Sequence, residues 1–125
     1  MTLYPPFDDV LAAHARLIAL FGGAQGIRDR AALVAALARP QSGFYKDVIE
    51  QAAALLESLS QNHPFVDGNK RTAIAVTAAF LRINGFRLEF HDLEACHFLI
   101  QLYETSQFRF DRLEPWLRQH AHPVP

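Results

Sequence analysis

A single cysteine, Cys96, leaves no partner for an internal disulfide. No uninterrupted apolar run approaches the ~20 residues of a membrane-spanning helix, although half of the residues are hydrophobic. Met1-Thr2-Leu3-Tyr4-Pro5-Pro6 lacks the basic and then apolar order of a secretion signal. These absences lead to the expectation of a reducing cytoplasm and no membrane partner. A strong charge of either sign is missing too. The net charge of -1 at pH 7 offers nucleic acid or anionic lipid no sign-biased surface, so direct nucleic-acid binding is not expected. Any recognition of phosphate has to be local. Repeats, low-complexity tracts and signs of a second domain are absent, and 125 residues suffice for one domain with a real core.

What is present is a succession of helical patterns. Val10, Leu11, His14, Leu17, Ile18 and Phe21 recur at three and four, with Asp8 or Asp9 as the expected cap and Gly22-Gly23 as the stop. Asp29 caps a short Ala-rich helix from Arg30 to about Ala38, which Arg39-Pro40-Gln41-Ser42-Gly43 breaks. Asp47 with Glu50 forms a capping-box pattern before Val48, Ile49, Ala52, Leu55, Leu56 and Leu59. From Thr72 to Ile83 almost no polar face remains, which predicts a helix at the buried centre of a bundle. Phe86 to Phe90 alternates, giving at most one short extended segment. Asp92 caps a helix with Leu93, Cys96, His97, Ile100 and Tyr103 on one stripe, and a last helix runs from about Asp111 to His120.

Between the third helix and the apolar one lies His63-Pro64-Phe65-Val66-Asp67-Gly68-Asn69-Lys70-Arg71. A base, an acid, an amide and two cations in nine residues are hard to explain by packing. At a helix amino terminus, unpaired N–H groups and partial positive charge suit an anion, and Gly68 lets it approach the main chain. Cations in a first helical turn oppose the dipole, so Lys70 and Arg71 there imply a compensating anion, with phosphate the natural occupant. Phosphoryl transfer needs an in-line hydroxyl, charge neutralisation and a proton acceptor. His63 suits general base, the backbone around Gly68 and Asn69 an anion hole, and Asn69, Lys70 and Arg71 the triphosphate of ATP. Asp67 is either a hard oxygen ligand for magnesium or a helix cap. Phe65 is read as a core anchor of the loop.

The same nine residues, with His14, Gly22-Gly23, Gly26-Ile27-Arg28-Asp29 and Asn84-Gly85, resemble the Doc branch of the Fic/Doc superfamily across nearly the whole chain. The resemblance implies an all-α fold, a compact Fic-type helical bundle with a buried central helix after the HPFxDGNKR loop. It implies a toxin of a toxin-antitoxin pair, inhibited by a separate Phd-type antitoxin. No Glu here precedes Gly or Asn, so the internal inhibitory helix of some Fic proteins is not expected. Fic adenylyltransferases carry Gly where this chain has Lys70 and a second Arg where it has Ile74. Both departures match Doc, which implies a reversed ATP and transfer of its γ-phosphoryl group, with a threonine of elongation factor Tu as the family's substrate. The alternatives are a Fic-type nucleotidyltransferase, or a non-enzymatic nucleotide- or partner-binding module.

Four further features complete the reading. The aromatic loop with Phe44, Tyr45 and Lys46 occupies the interval where Fic proteins place a target-positioning flap, and is assigned to target docking. His14 is expected to be a hydrogen-bonded core residue. His91, Cys96 and His97 lack the close pairing of a zinc site, so core packing is expected. His120 and His122 fall in a Pro-rich tail expected to be disordered.

Overall fold

The computed structural model describes residues 1–89 and 92–125, and for 92–96 the backbone alone. Its elements are α1 Phe7–Phe21, α2 Arg30–Ala38, a 3-10 turn Arg39–Gln41, α3 Val48–Gln61, α4 Asn69–Ile83, β1 Phe86–Leu88, α5 Asp92–Glu104, α6 Phe110–His120 and β2 Ala121–Pro123. The protein is mostly helical, with the compact bundle expected from the sequence.

The core is a hairpin of α3 and α4 wrapped by the other helices. Ala52, Ala53, Ala54, Leu55 and Leu56 are all buried, so α3 has neighbours around its whole circumference, and its small residues allow them close. The next helix, α4, buries Thr72, Ala73, Val76, Thr77, Phe80 and Leu81, while Ala79 and Ile83 reach solvent. It is central as expected, and α3 is enclosed more completely. Each fully buried Phe or Leu contributes roughly 1.5–3 kcal/mol of transfer free energy, so this hairpin is the rigid base of whatever its turn carries.

Several local signals are realised by hydrogen bonds. Asp29 accepts from the Ala32 N–H at 3.0 Å and starts α2. Asp47 accepts from the Glu50 N–H at 2.9 Å and starts α3. Glu50 reaches back one residue further than a capping box requires, to the Lys46 N–H at 3.1 Å. Neither Asp8 nor Asp9 caps α1. Pro6 holds that position, and both aspartates lie in the first turn, where they favour the dipole.

Other expectations are corrected. The tail is ordered: β2 pairs antiparallel with β1, Phe86 opposite Pro123 and Leu88 opposite Ala121. The His120 ring stacks on Trp116 and its Nδ1 lies 2.7 Å from the Trp116 carbonyl. On α5, Leu99 and Leu102 are buried while His97 and Ile100 are exposed, so the stripe is rotated from the expected one and His97 is no core residue. The expectations for Phe90 and His91, and for the side chains of Asp92, Leu93 and Cys96, lie outside the described residues. Among the described residues no helix is long and apolar enough to cross a membrane.

Candidate active site

The turn joining α3 to α4 is held open as a cradle. The third helix ends at Asn62, and His63 follows at φ +47°, the left-handed position that a glycine usually fills after a helix. A non-glycine residue there costs roughly 1–2 kcal/mol. Pro64 disfavours the right-handed conformation at His63 and so bars continuation of α3. The imidazole is exposed, and among the described residues nothing hydrogen-bonds it.

Beyond His63, Phe65 points inward and is fully buried, as expected of an anchor. The loop is closed by Asn69, whose Oδ1 accepts from the Phe65 N–H at 2.9 Å and whose Nδ2 donates to the Phe65 carbonyl at 3.0 Å. The loop takes the Asn69 amide oxygen and one of its N–H donors, which leaves the second amide N–H and the backbone N–H for an anion. At φ +73°, Gly68 is the residue before α4, and no side chain caps that helix. A Cβ there would lie 3.0 Å from Ile18 Cδ1, so glycine is required by conformation and by space. The first turn of α4, Asn69-Lys70-Arg71, therefore presents uncapped N–H groups.

A second wall comes from α1 and the segment after it. Buried His14 stacks on Phe65, ring centroids 3.8 Å apart at 4°, and its Nε2 lies 2.8 Å from the Asp67 carbonyl oxygen. It is a hydrogen-bonded interior residue, as expected. Residues Gly26 to Asp29 run beside the loop: Ile27 bridges Phe65 in antiparallel sense, the Val66 N–H donates to Gly26, and the Arg28 and Asp29 N–H groups donate to Pro64. The Arg28 side chain donates to the carbonyls of His63 and Asn62, at 2.6 and 3.0 Å.

Asp67 is not the cap of α4. Its Oδ1 accepts from the Gly68 N–H at 2.8 Å and its Oδ2 from the Ala24 N–H at 3.2 Å. Each oxygen keeps lone-pair capacity, and the carboxylate lines the pocket, so a hard cation fits it as one anionic ligand. Among the described residues no three His, Cys, Asp or Glu side chains converge, so a magnesium ion there would take its other ligands from phosphate and water.

The resulting open pocket has a volume near 340 Å³ and is lined by His63, Val66, Asp67, Gly68, Asn69, Lys70, Arg71 and Tyr103. The structure thus brings together His63 and the whole 67–71 stretch. Both cations rest on aromatic rings: Lys70 Nζ lies 5.0 Å from the centroid of Tyr103, and Arg71 Cζ lies 4.6 Å from that of Phe21. Neither has an ion-pair partner among the described residues, so two cations face one carboxylate in the pocket.

Phe44, Tyr45 and Lys46 are not part of it. Lys46 lies just before α3, whose 14 residues span about 21 Å, and the pocket lies past the other end. Tyr45 is turned to Arg39 and Phe110, and Phe44 is 83% exposed. The segment that flanks the pocket is the α1–α2 connection. Sequence reasoning gave Arg28 and Tyr103 no role. Arg28 stood inside a noted turn without any signal of its partner, and Tyr103 lies in a different helix more than thirty residues after the motif.

A left-handed histidine, an anchored carboxylate and an uncapped helix start bearing two cations thus meet in one open pocket. The sequence profile of the Fic/DOC family matches residues 4–81. The chain is 47% identical over 93 residues to Toxin Doc of Mycolicibacterium smegmatis, covering 70% of this chain and 69% of that protein. It is 32% identical over 85 residues to Protein kinase doc of Escherichia phage P1, covering 65% and 68% respectively. This chain belongs to the Fic/DOC family.

Proposed function

We propose that this protein is a Doc-like toxin that transfers the γ-phosphoryl group of ATP to a hydroxyl of a target protein. The observation that carries the reading is the convergence of His63, Asp67 and the uncapped α4 turn in one pocket. The target hydroxyl oxygen attacks the γ-phosphorus, the bond from that phosphorus to the β–γ bridging oxygen breaks, ADP leaves, and His63 takes the hydroxyl proton. The Asn69 N–H at the uncapped start of α4, with Lys70 and Arg71, holds the phosphates in line, while the Gly68 N–H stays with Asp67. Asp67 is the residue to hold a magnesium ion, which neutralises charge on the phosphates.

Two observations support phosphoryl over nucleotidyl transfer. The Lys70 side chain occupies the pocket wall, and Ile74 packs against the core without lining the pocket, so no second arginine serves it. The relative named a protein kinase supports the same choice. By likeness to the Doc proteins, the target is a threonine of elongation factor Tu, the outcome is arrest of translation in the cytoplasm, and a Phd-type antitoxin controls the protein. The α1–α2 connection, with exposed Ile27 beside the pocket loop, supports target docking better than the Phe44 loop does.

The test is the position of the label. ATP labelled at the γ-phosphate should mark purified elongation factor Tu and raise its mass by one phosphate. ATP labelled at the α-phosphate should not. Transfer of the α-label overturns the reading in favour of nucleotidyl transfer.

A further inference from the structure

We infer that Arg28 is the positioning residue of His63, a fork that fixes the catalytic histidine in its left-handed conformation. The inference rests on the reading of His63 as general base. A histidine at φ +47° holds a conformation that a side chain disfavours, so something outside the turn has to favour it. The end of α3 also leaves carbonyls that the helix cannot satisfy.

The guanidinium of Arg28 answers both needs. Its Nε donates to the carbonyl that follows His63 Cα, at 2.6 Å, and its Nη2 to the carbonyl that precedes it, at 3.0 Å. One rigid plane thereby brackets the two peptides whose relative rotation is set by φ and ψ of His63. Its positive charge also lies at the carboxyl end of α3, where the dipole favours it. The main chain from which this side chain reaches is itself tied to the loop, because the backbone N–H groups of Arg28 and Asp29 both donate to Pro64, at 2.8 and 3.0 Å. Arg28 does not line the pocket, so its contribution reaches the reaction through His63 and not through ATP. A lysine ammonium is a point donor on a flexible stem and cannot bracket two carbonyls in the same way.

The experiment compares the wild-type protein, Arg28→Ala, Arg28→Lys and His63→Ala. Label incorporation into lysate protein is followed with γ- and α-labelled ATP, and the His63 backbone resonances are followed by NMR. Arg28→Ala should lower the maximal rate about 10- to 100-fold while KM for ATP stays within about twofold, since misplacement of a reacting group by an ångström costs on that order. Arg28→Lys should recover only part of the rate. The His63 resonances should move away from their left-handed values in Arg28→Ala, while circular dichroism keeps its helical signal. A wild-type rate in folded Arg28→Ala, or a change confined to KM, overturns the inference. Should Arg28→Ala not fold, Arg28→Lys decides, with full rate and unmoved His63 resonances overturning it. Undiminished transfer by His63→Ala defeats the reading of the base instead. If wild-type protein transfers neither label, the His63 resonances alone decide the inference: unmoved in Arg28→Ala they overturn it, moved they support it.

Discussion

Two charged clusters flank α3, and they are built on opposite rules. In the first, every charge has a partner. Arg118 donates to both oxygens of Asp47, at 3.1 and 3.2 Å, and to Glu114 at 2.6 Å. Arg39 pairs with Glu57 and bonds Ser58 and Tyr45, and Glu57 also accepts from the Phe110 N–H. Burial disfavours the Arg39 guanidinium, yet hydrogen bonds to Glu57 and then Tyr45 outweigh it and raise its pKa further. In the second cluster, at the α3–α4 turn, Lys70 and Arg71 lie on rings, and the His63 ring has no hydrogen-bond partner among the described residues. Partnered charges stabilise the fold; under the proposed function, the cations left without a counter-ion are the ones that take the phosphates of ATP.

The widest separation of the two rules should appear on replacing His63. We expect His63→Gly to reduce transfer by roughly 10²- to 10⁴-fold, the range of a general base. The same variant should keep its melting temperature or gain up to about 1 kcal/mol, because glycine accepts φ +47° without strain. Parallel rate and melting measurements check this, and a large drop in both would erase the contrast. Lys70→Met and Arg71→Met come next. Losing a charge-assisted phosphate contact of about 1.5–3 kcal/mol should raise KM for ATP tenfold or more, with no loss of melting temperature.

The partnered cluster should respond in reverse. Glu57→Ala leaves the Arg39 guanidinium and the Phe110 N–H without their acceptor, so denaturant unfolding should show a loss of about 1–3 kcal/mol while the rate per folded molecule is kept. The smallest effect belongs to Asp47 and Arg118, whose side chains are both 46% exposed. Burial raises the Asp47 carboxyl pKa, but the Arg118 hydrogen bond and the Glu50 N–H lower it more, so the folded value lies below the ordinary one. Its contribution is then complete above the unfolded carboxylate value of about 3.9 and is lost as pH falls from there through the folded value. Arg118→Ala should cost under about 1 kcal/mol at neutral pH, and its melting curves should converge with the wild-type ones in acid.

Much of this contrast was legible in the sequence because the features involved are local. The nine-residue motif lies within one turn, so His63, Asp67, Gly68, Lys70 and Arg71 could be placed together from spacing alone. The caps Asp29 and Asp47 act on N–H groups three residues away and were read correctly. What escaped depends on distance along the chain. The bonds of Arg28 span 34 and 35 residues, and β2 becomes a strand only because β1 lies beside it. The docking assignment to Phe44, Tyr45 and Lys46 rests on local aromatic character, which does not reveal that the loop lies at the opposite end of α3 from the pocket. The Asn69 amide is a further case. An amide beside two cations looks like a ligand donor, and only the folded loop reveals that Phe65 uses its oxygen and one of its N–H donors.

The one tryptophan of the chain, Trp116, stacks against Phe98 on α5 and against His120 at the end of α6, with centroids 5.5 and 4.5 Å apart, and it does not line the site pocket. Its fluorescence therefore reports on the α5–α6 edge of the bundle. An emission change on adding nucleotide would signal a rearrangement carried across the molecule, whereas a silent indole is the optical signature of a ligand bound in a preformed cradle.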